Sequence, residues 1–373
     1  MLRIVICWPE IVGHMVPCFR ALAAHPGIEL LVVAGRSGTK GSNFKFNNDV
    51  AAGINALLLA PEERDARTIT QAVTDFEPDV VSIPGWGTPY YRNLTFHPAL
   101  KHAKFLMVMD TPRRDTWRQK LGKYRFSSYF AKISKVAAIG ERAFQCAKLL
   151  GFRENQIFRG AMCGIDYDGF SHCYSLRTAQ PGGWPRRFLF TGRYHSVKAI
   201  DVMLRAYTLY RKSVEEPWPL STCGSGPLET DINATPGVEN LGFVQPAQQR
   251  DIYARHGVFV LASRFDPWPL VIVEACAAGL PVICTEACGS AVELVRTYYN
   301  GLTVPTDEAE AMARAMRYMH DHYAELPEMG QRGMAFAAPF GAELWARRWI
   351  EMIDQVCPGR RLAPAASCTE LIT

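Results

Sequence analysis

The chain has 373 residues. This is too long for a single domain built around one hydrophobic core, so two domains are expected. A hydrophobic fraction of 48% and a charged fraction of 21% are typical of a soluble globular protein. No apolar run approaches the roughly 20 residues of a spanning helix, which excludes a helical membrane protein. The N-terminal "MLRIVICWPE" is too short an apolar run for a signal peptide, so a cytoplasmic location is expected.

The first part of the chain alternates apolar strands with helices. "LRIVIC" and "IELLVVAG" predict strands on either side of the helix "VPCFRALAAH". The strands "DVVSIPG", "KFLMVMD" and "KVAAIG" follow, and the last precedes the helix "ERAFQCAKLLG". Apolar strands without alternation indicate a parallel sheet covered on both faces. The sequence therefore predicts a Rossmann-like α/β domain over residues 1–174.

The composition then changes. The stretch 175–187, "SLRTAQPGGWPRR", is rich in Pro and Gly without periodicity and predicts a linker. A second Rossmann-like domain is expected over 188–338, and a last helix over 339–357 that packs back on the first domain. The tail 358–373 is expected to be poorly ordered. Two doubly wound domains favour ligand binding in a cleft, at the carboxyl ends of the strands.

Two acidic residues interrupt the apolar stretch "SRFDPWPLVIVEACAAGLPVICT". Asp266 lies in a predicted strand-to-helix loop, and Glu274 lies one turn inside the following helix. The N–H groups of Leu270 and Val271 at the helix start favour an anion. A diphosphate there would bring a ribose to Glu274, so the layout suits a nucleotide sugar. The alternatives for Glu274 are an exposed side chain or a structural pair with an arginine.

Several motifs then resemble one enzyme family. "DPWPLVIVEACAAGLPV" is similar to the Glu-x7-Glu motif of the retaining glycosyltransferases of family 4, which have the GT-B fold. "FTGRYHSVKAID" resembles the family's Gly-Arg…Lys-Gly element, and "CGSGPLE" resembles its Gly-x-Gly-Pro turn. "VENLGFV", "YNGLTV" and "CGIDYDGF" match further family positions. The resemblance is strong from Ala137 to Met319 and weaker before it.

The resemblance implies roles for residues of the second domain. Arg193 and Lys198 would bind the donor diphosphate, and Glu274 would bind the ribose. Asp266 would be the first acid, near the donor sugar, although it is shorter than the usual Glu. Pro269 replaces a family glycine and has no N–H to give the sugar.

The resemblance also implies roles for other positions, some of which have a second interpretation. Phe243 and Val244 align with the segment whose backbone meets the base, and Gly13 is what remains of a Gly-rich loop that approaches the phosphate. His14 beside it is either functional or merely solvated. Asp110 matches the place of a family His near the sugar, where a carboxylate could stabilise an oxocarbenium or act as a base. The other interpretation makes Asp110 the N-cap of the following helix.

Two short motifs are set aside. "DYD" at 166–168 resembles a metal-binding Asp-x-Asp, but it lies inside the "CGIDYDGF" element and implies no metal. "GSG" at 224–226 lacks the third glycine of a dinucleotide-binding loop. The eleven cysteines form no CxxC and no zinc-spaced cluster, and we expect buried, reduced thiols.

The positive charge is local. Residues 101–135 contain ten Lys or Arg and two Asp, a net +8, so the rest of the chain sums to −3 within the total of +5. Within segment 113–132, Trp117, Leu121 and Tyr124 recur at helical spacing among cations. Such a helix could touch anionic lipid, attract an anionic acceptor, or pack its apolar stripe on the core. No nucleic-acid-binding module is present.

The sequence thus favours a retaining hexosyltransferase that uses a UDP- or GDP-sugar and a hydroxyl acceptor in glycoconjugate or polysaccharide biosynthesis. The resemblance implies no metal and no other cofactor. The protein would be cytoplasmic, with possible peripheral contact at the membrane. The alternatives are a nucleotide-sugar 2-epimerase-like enzyme and a non-catalytic sugar-binding member with an altered donor site.

Overall fold

The chain divides into two compact units. The structure, a computed structural model, describes residues 1–11, 13–38, 51–159 and 163–359. Unit 1 comprises Met1–Gly164 with Ala342–Thr373, and unit 2 comprises Ile165–Gly341. The tail predicted to be poorly ordered lies outside the described residues from 360 onward.

Unit 1 is built on a seven-stranded sheet whose paired strands are all parallel, in the order β3-β2-β1-β4-β5-β6-β7. The strands are Leu2–Trp8 (β1), Ile28–Gly35 (β2), Ala56–Leu59 (β3), Val80–Pro84 (β4), Lys104–Met109 (β5), Ile133–Ala138 (β6) and Ile157–Arg159 (β7). The helices among them are Val16–Ala23 (α1), Ala66–Asp75 (α2), Pro89–Asn93 (α3), Trp117–Arg125 (α4), Ser127–Phe130 (α5) and Gly140–Leu150 (α6). From Ile4 to Trp8 strand β1 is buried on both faces, which is why this part of its sequence is continuously apolar.

Unit 2 contains a six-stranded parallel sheet in the order β10-β9-β8-β11-β12-β13. Its strands are Phe188–Thr191 (β8), Leu220–Cys223 (β9), Val238–Asn240 (β10), Val258–Leu261 (β11), Val282–Thr285 (β12) and Gly301–Val304 (β13). Its helices are Tyr167–Thr178 (α7), Ile200–Ser213 (α8), Glu229–Ala234 (α9), Pro246–Ala254 (α10), Leu270–Ala277 (α11), Ala291–Leu294 (α12), Ala309–Asp321 (α13) and Leu326–Ala337 (α14). Both units therefore have the Rossmann-like, parallel-sheet α/β architecture that the strand pattern predicts.

The last helix, Ala342–Val356 (α15), is part of unit 1. Trp345 on α15 is buried and meets Phe19 of α1 edge to face, with ring centroids 6.1 Å apart. Lys135 Nζ on β6 also donates to Gln355 Oε1 at 2.7 Å. Aromatic burial therefore joins this distant end of the sequence to the first helix of the chain.

The boundary between the units differs from the sequence-based one. Residues 175–178, the start of the expected linker, are the last turn of α7, and unit 2 already begins at Ile165. The physical reason is Arg177, which is fully buried within unit 2. Its guanidinium donates to four backbone carbonyls, those of Tyr253 (2.6 Å), His256 (2.7 Å), Ala278 (2.9 Å) and Gly279 (3.1 Å). These bonds tie α7 to α10 and α11, so the helix belongs to the second unit.

Replacing Arg177 with Met should destabilise unit 2. The substitution leaves buried carbonyls without their charged donor, which we expect to cost about 3 kcal/mol of the free energy of unfolding. Hydrogen exchange of the β11 and β12 amides measures this in unit 2 separately from unit 1. Arg205→Met, an exposed arginine on α8, is the matched control. Equal protection in the two variants would contradict a structural role for Arg177.

Candidate active site

The loops that leave β8, β9 and β10 approach one another at the carboxyl edge of the unit 2 sheet. Gly224 N–H donates to the carbonyl of Gly242 at 2.8 Å. A Cβ atom on Gly224 would lie only 1.9 Å from the carbonyl oxygen of Gly192, so this contact requires glycine. Arg193 follows Gly192 and Phe243 follows Gly242, so the close approach of the backbones brings both predicted ligand-binding residues to this edge.

Lys198 and Asp266, both predicted as site residues, form an ion pair. Lys198 Nζ donates to Asp266 Oδ2, and the two side chains are only 14% and 12% exposed. Asp266 lies in the loop between β11 and α11, where its carbonyl accepts from Gly289 N–H at 2.8 Å. A Cβ on Gly289 would lie 1.7 Å from the carbonyl oxygen of Pro267, so this contact also depends on a glycine. The sequence suggested a role for each partner but not their contact, since they are 68 residues apart.

Arg264 is a residue that the sequence analysis missed, and it holds the turn that carries Lys198. It sits two positions before Asp266, just beyond β11. Its position three residues beyond the end of β11 was the available signal, but its partners lie far away in the sequence. Its main-chain N–H donates to the carbonyl of Val197 at 2.9 Å. Its guanidinium donates to the carbonyl of Ser196 (2.7 Å) and to the carboxylates of Asp201 (2.7 Å) and Asp307 (2.6 Å).

Glu274 is buried, with 5% of its surface exposed, and it lies on α11. Its Oε2 accepts from Gln249 Nε2 at 2.7 Å and from the Tyr253 hydroxyl at 3.2 Å. Burial raises the pKa of Glu274 to about 7, and these two hydrogen bonds only partly oppose the shift. The alternatives of an exposed side chain and of a structural pair with arginine are therefore wrong for the described residues.

Helix α11 begins at Leu270 without a side-chain cap, and Pro269 is its N-cap residue. Leu270 and Val271 are partly exposed, and their N–H groups lie in the first turn, where helical acceptors are missing. Next to them, the indole N–H of Trp268 is buried without an acceptor among the described residues. The start of α11 therefore presents N–H donors and a positive dipole end beside the Lys198–Asp266 pair.

The other predicted residues lie as follows. Phe243 and Val244 are half-buried in the segment after β10. In unit 1, Gly13 and His14 form the turn that precedes α1, and burial lowers the pKa of His14 to about 4. Asp110 directly follows β5 in the same unit. Its interpretation as a helix cap is wrong, because α4 begins at Trp117 and is capped by Thr116.

The Asp-x-Asp sequence has a structural explanation. Asp166 is the N-cap of α7, where it accepts from Gly169 N–H at 3.1 Å, and it pairs with Arg250 at 2.8 Å. Asp168 is exposed in the first turn of α7. Across the described parts of the chain, no group of three or more His, Cys, Asp or Glu side chains is placed to hold a metal ion.

The raised pKa of Glu274 makes the stability of unit 2 depend on pH. Ionisation in the fold is unfavourable, so the penalty is absent below about pH 4.5, grows as the pH rises and is complete above about pH 7. Glu274→Gln lacks this penalty. Its free energy of unfolding relative to the natural chain should therefore be higher at pH 8 than at pH 4.5, by up to about 3 kcal/mol. Urea unfolding at both pH values measures the difference.

Glu310→Gln on α13 is the matched control, because Glu310 is exposed. It should show no comparable change with pH. A Glu274→Gln difference that is the same at both pH values would contradict the buried, desolvated carboxylate.

Residues 185–322 match the family described as glycosyl transferases group 1. An exopolysaccharide phosphotransferase of Streptomyces coelicolor is 25% identical over 200 residues, which are 50% of this chain and 21% of that protein. The D-rhamnosyltransferase WbpZ of Pseudomonas aeruginosa is 26% identical over 264 residues, which are 64% of this chain and 66% of WbpZ. The chain thus spans about a fifth and about two thirds of these relatives.

The fold has close structural neighbours. The structure of Anabaena Alr3699/HepE in complex with UDP and glucose superposes with a TM-score of 0.72 at 15% identity, covering 95% of this chain and 100% of that one. At this identity the likeness establishes the fold, which is that of GT-B glycosyltransferases, with two Rossmann-like parallel-sheet domains. Within that fold, the segment 185–322 that matches the glycosyl transferases group 1 family carries Arg193, Lys198, Asp266 and Glu274.

Proposed function

We propose that the chain is a retaining glycosyltransferase that moves a hexose from a nucleoside-diphosphate sugar to a hydroxyl acceptor. The observation that carries the proposal is the grouping on β11–α11 and its neighbouring loop. There a Lys198–Asp266 pair lies beside a helix start and ahead of the buried Glu274. A cation, N–H donors and a carboxylate in this order match the diphosphate and ribose of a nucleotide sugar.

The two cations would stabilise the leaving group. Cleavage of the bond between sugar and phosphate builds negative charge on the diphosphate, and fixed positive charge offsets it most strongly where water is partly excluded. Lys198 is well placed because its side chain is mostly buried and its turn is held by Arg264. Arg193, exposed on the loop after β8, supplies a planar guanidinium suited to phosphate oxygens. With these two cations we expect the transfer to need no metal.

Glu274 would hold the ribose. Both described hydrogen bonds fall on Oε2, so Oε1 is the atom proposed to accept from the vicinal hydroxyls. Two hydroxyl donors favour the ionised form, so the bound donor would lower the raised pKa of Glu274. Donor binding should therefore relieve part of the cost of burying this carboxylate.

Asp266 would have two partners in turn. Without a donor it neutralises Lys198, and with a diphosphate on Lys198 its carboxylate becomes available for a sugar hydroxyl. Its shorter side chain and the absence of an N–H at Pro269 narrow the contacts available to the sugar. We propose that the Asp266 carboxylate, and not the backbone at position 269, recognises the sugar through its hydroxyls.

The remaining assignments extend the same proposal. Phe243 and Val244 would meet the base through their backbone. Gly13 would approach the phosphate, and Asp110 would act near the sugar. We propose a UDP- or GDP-sugar donor and a role in glycoconjugate or polysaccharide biosynthesis in the cytoplasm. Alr3699/HepE, the solved neighbour described with UDP-glucose, motivates the choice of UDP as the first nucleotide to test.

A thermal-shift panel tests the donor class. UDP, GDP, ADP, TDP and CDP, each with and without an attached hexose, are added to the natural chain and to Lys198→Met. One nucleotide series should raise the melting temperature of the natural chain, and Lys198→Met should bind it at least about tenfold more weakly, because a cation on the diphosphate is lost. Lys212→Met, an exposed lysine on α8, is the matched control and should behave as the natural chain.

Two results would contradict the proposal. If no nucleotide stabilises the natural chain, a non-catalytic member with an altered donor site becomes the better account. If the donor is converted to an epimer and the sugar is never transferred or hydrolysed, the chain is a 2-epimerase-like enzyme.

Asp266→Asn separates binding from transfer. Removing the carboxylate frees Lys198 for phosphate, so the affinity for the nucleoside diphosphate alone should rise about tenfold. The rate of sugar transfer or donor hydrolysis should fall, since the sugar loses its proposed contact. Isothermal titration and a donor-consumption assay measure the two quantities. Asp231→Asn on α9 is an exposed control. An unchanged diphosphate affinity would show that Asp266 does not compete for Lys198.

A further inference from the structure

Helix α4 of unit 1 carries three large apolar side chains that are unusually exposed. Trp117 is 68% exposed, Leu121 is 50% exposed and Tyr124 is 72% exposed. They stand four and three residues apart along Trp117–Arg125. At 100° per residue they fall within roughly 60° of the helix circumference, so they form one outward-facing stripe.

The opposite side of α4 makes the contacts with the rest of unit 1. Gly122 is the buried residue of the helix, and a Cβ added there would lie 3.9 Å from Leu150 of α6. Gln119 Nε2 donates to the carbonyl of Pro112 at 2.8 Å. Of the three interpretations of this stripe, packing on the core is therefore wrong, because small and polar residues form the inner face.

Cations border the apolar stripe. By the same helical spacing, Arg118 and Arg125 lie along one side of it and Lys120 along the other. The Arg118 guanidinium lies 5.4 Å from the centroid of the Trp117 ring. Helix α4 contains four Lys or Arg and no acidic residue, so its outer surface is strongly positive.

We propose that this surface docks on an anionic phospholipid bilayer. The α4 surface consists of Trp117, Leu121 and Tyr124 with the flanking Arg118, Lys120 and Arg125. The helix would lie in the plane of the headgroups, with the cations on lipid phosphates and the apolar stripe at the acyl boundary. Trp and Tyr suit that depth, since each has an apolar ring and a polar N–H or O–H.

Charge and size favour lipid over a macromolecular partner. The cations complement an anionic leaflet, which attracts each Lys or Arg near its surface. Three side chains in one stripe make a contact far smaller than the roughly 800 Å² per partner of a stable protein interface. Nucleic acid would use the cations but would leave the leucine without a role. Among the described residues, no helix combines the length and hydropathy needed to cross a membrane.

The binding should be reversible and sensitive to salt. The stripe is short, so apolar insertion alone gives marginal affinity, and the cations supply the second contribution. Ionic strength screens that contribution over about 8–10 Å at 0.1–0.15 M salt. The proposal does not depend on the transferase site, because every residue of the α4 surface lies in unit 1 and none of them was assigned to the donor.

Vesicle sedimentation of the full chain tests the proposal. One set of vesicles is pure phosphatidylcholine, and the other contains about one third phosphatidylglycerol, which supplies the anionic surface. The protein should sediment with the anionic vesicles, should remain in solution with the neutral ones, and should be released as salt is raised.

Two variants divide the apolar and charged contributions. Trp117→Ser/Leu121→Ser/Tyr124→Ser and Arg118→Gln/Lys120→Gln should each lower the partition coefficient about tenfold or more. The matched controls are Tyr298→Ser, which removes an aromatic ring 64% exposed in unit 2, and Arg205→Gln/Lys212→Gln on α8. Both controls should sediment as the natural chain does. Thermal unfolding of each variant confirms that the fold is kept.

Three results would overturn the proposal. These are equal sedimentation with both vesicle types, unchanged sedimentation of the triple-serine variant, and binding to an anionic polymer such as heparin or single-stranded DNA with none to vesicles. The last result would assign the surface to a polyanion. Nucleotide stabilisation, measured on the same samples, keeps the outcome separate from the success or failure of the transferase proposal.

Discussion

At the candidate site, glycines let main-chain segments of neighbouring loops lie closer together than residues with a Cβ atom would allow. Gly224 donates to the carbonyl of Gly242 at 2.8 Å, in a position where a Cβ would lie 1.9 Å from the Gly192 carbonyl. Gly289 has the same function beneath the loop of Asp266, where its N–H holds the Asp266 carbonyl at 2.8 Å. Because these contacts fix the ends of neighbouring strands, the charged residues that follow are placed by the main chain.

The two carboxylates of the site lie in opposite environments. Asp266 is partnered by the ammonium of Lys198, whereas Glu274 is buried beside an amide and a phenol, which are neutral donors. Burial therefore raises the pKa of Glu274 to about 7, and its charge is held at a cost when ionised. A ligand with hydroxyl donors would reduce that cost, and a ligand with phosphate would replace Asp266 at Lys198. Both exchanges favour a ligand that carries hydroxyls and phosphate together.

Local patterns were enough to predict five of the seven strands of unit 1 and the loop position of Asp266, because parallel strands buried on both faces are continuously apolar. The short edge strands β3 and β7 were not predicted. Partners distant in sequence were not predictable. Arg177 looks like a surface residue of a linker, and only the carbonyls at and just beyond the carboxyl ends of α10 and α11 explain its burial. The Lys198–Asp266 pair and the Arg264 contacts join separate loops, so no local window contains them. On α4, helical spacing identified an apolar stripe, but the direction it faces was decided by Gly122 on the other side.

Charge distribution gives the α4 surface a consequence for the whole molecule. Residues 101–135 carry a net charge of +8, while the remainder of the chain carries −3. Positive and negative charge are therefore concentrated in different parts of the chain. An anionic bilayer would attract the α4 region and repel the rest, which orients the chain before any apolar contact forms. The stripe of Trp117, Leu121 and Tyr124 would then limit the depth of insertion to the interface. Orientation by charge and an insertion depth set by three side chains would together hold the chain at the bilayer surface, where a modest affinity is sufficient for reversible binding.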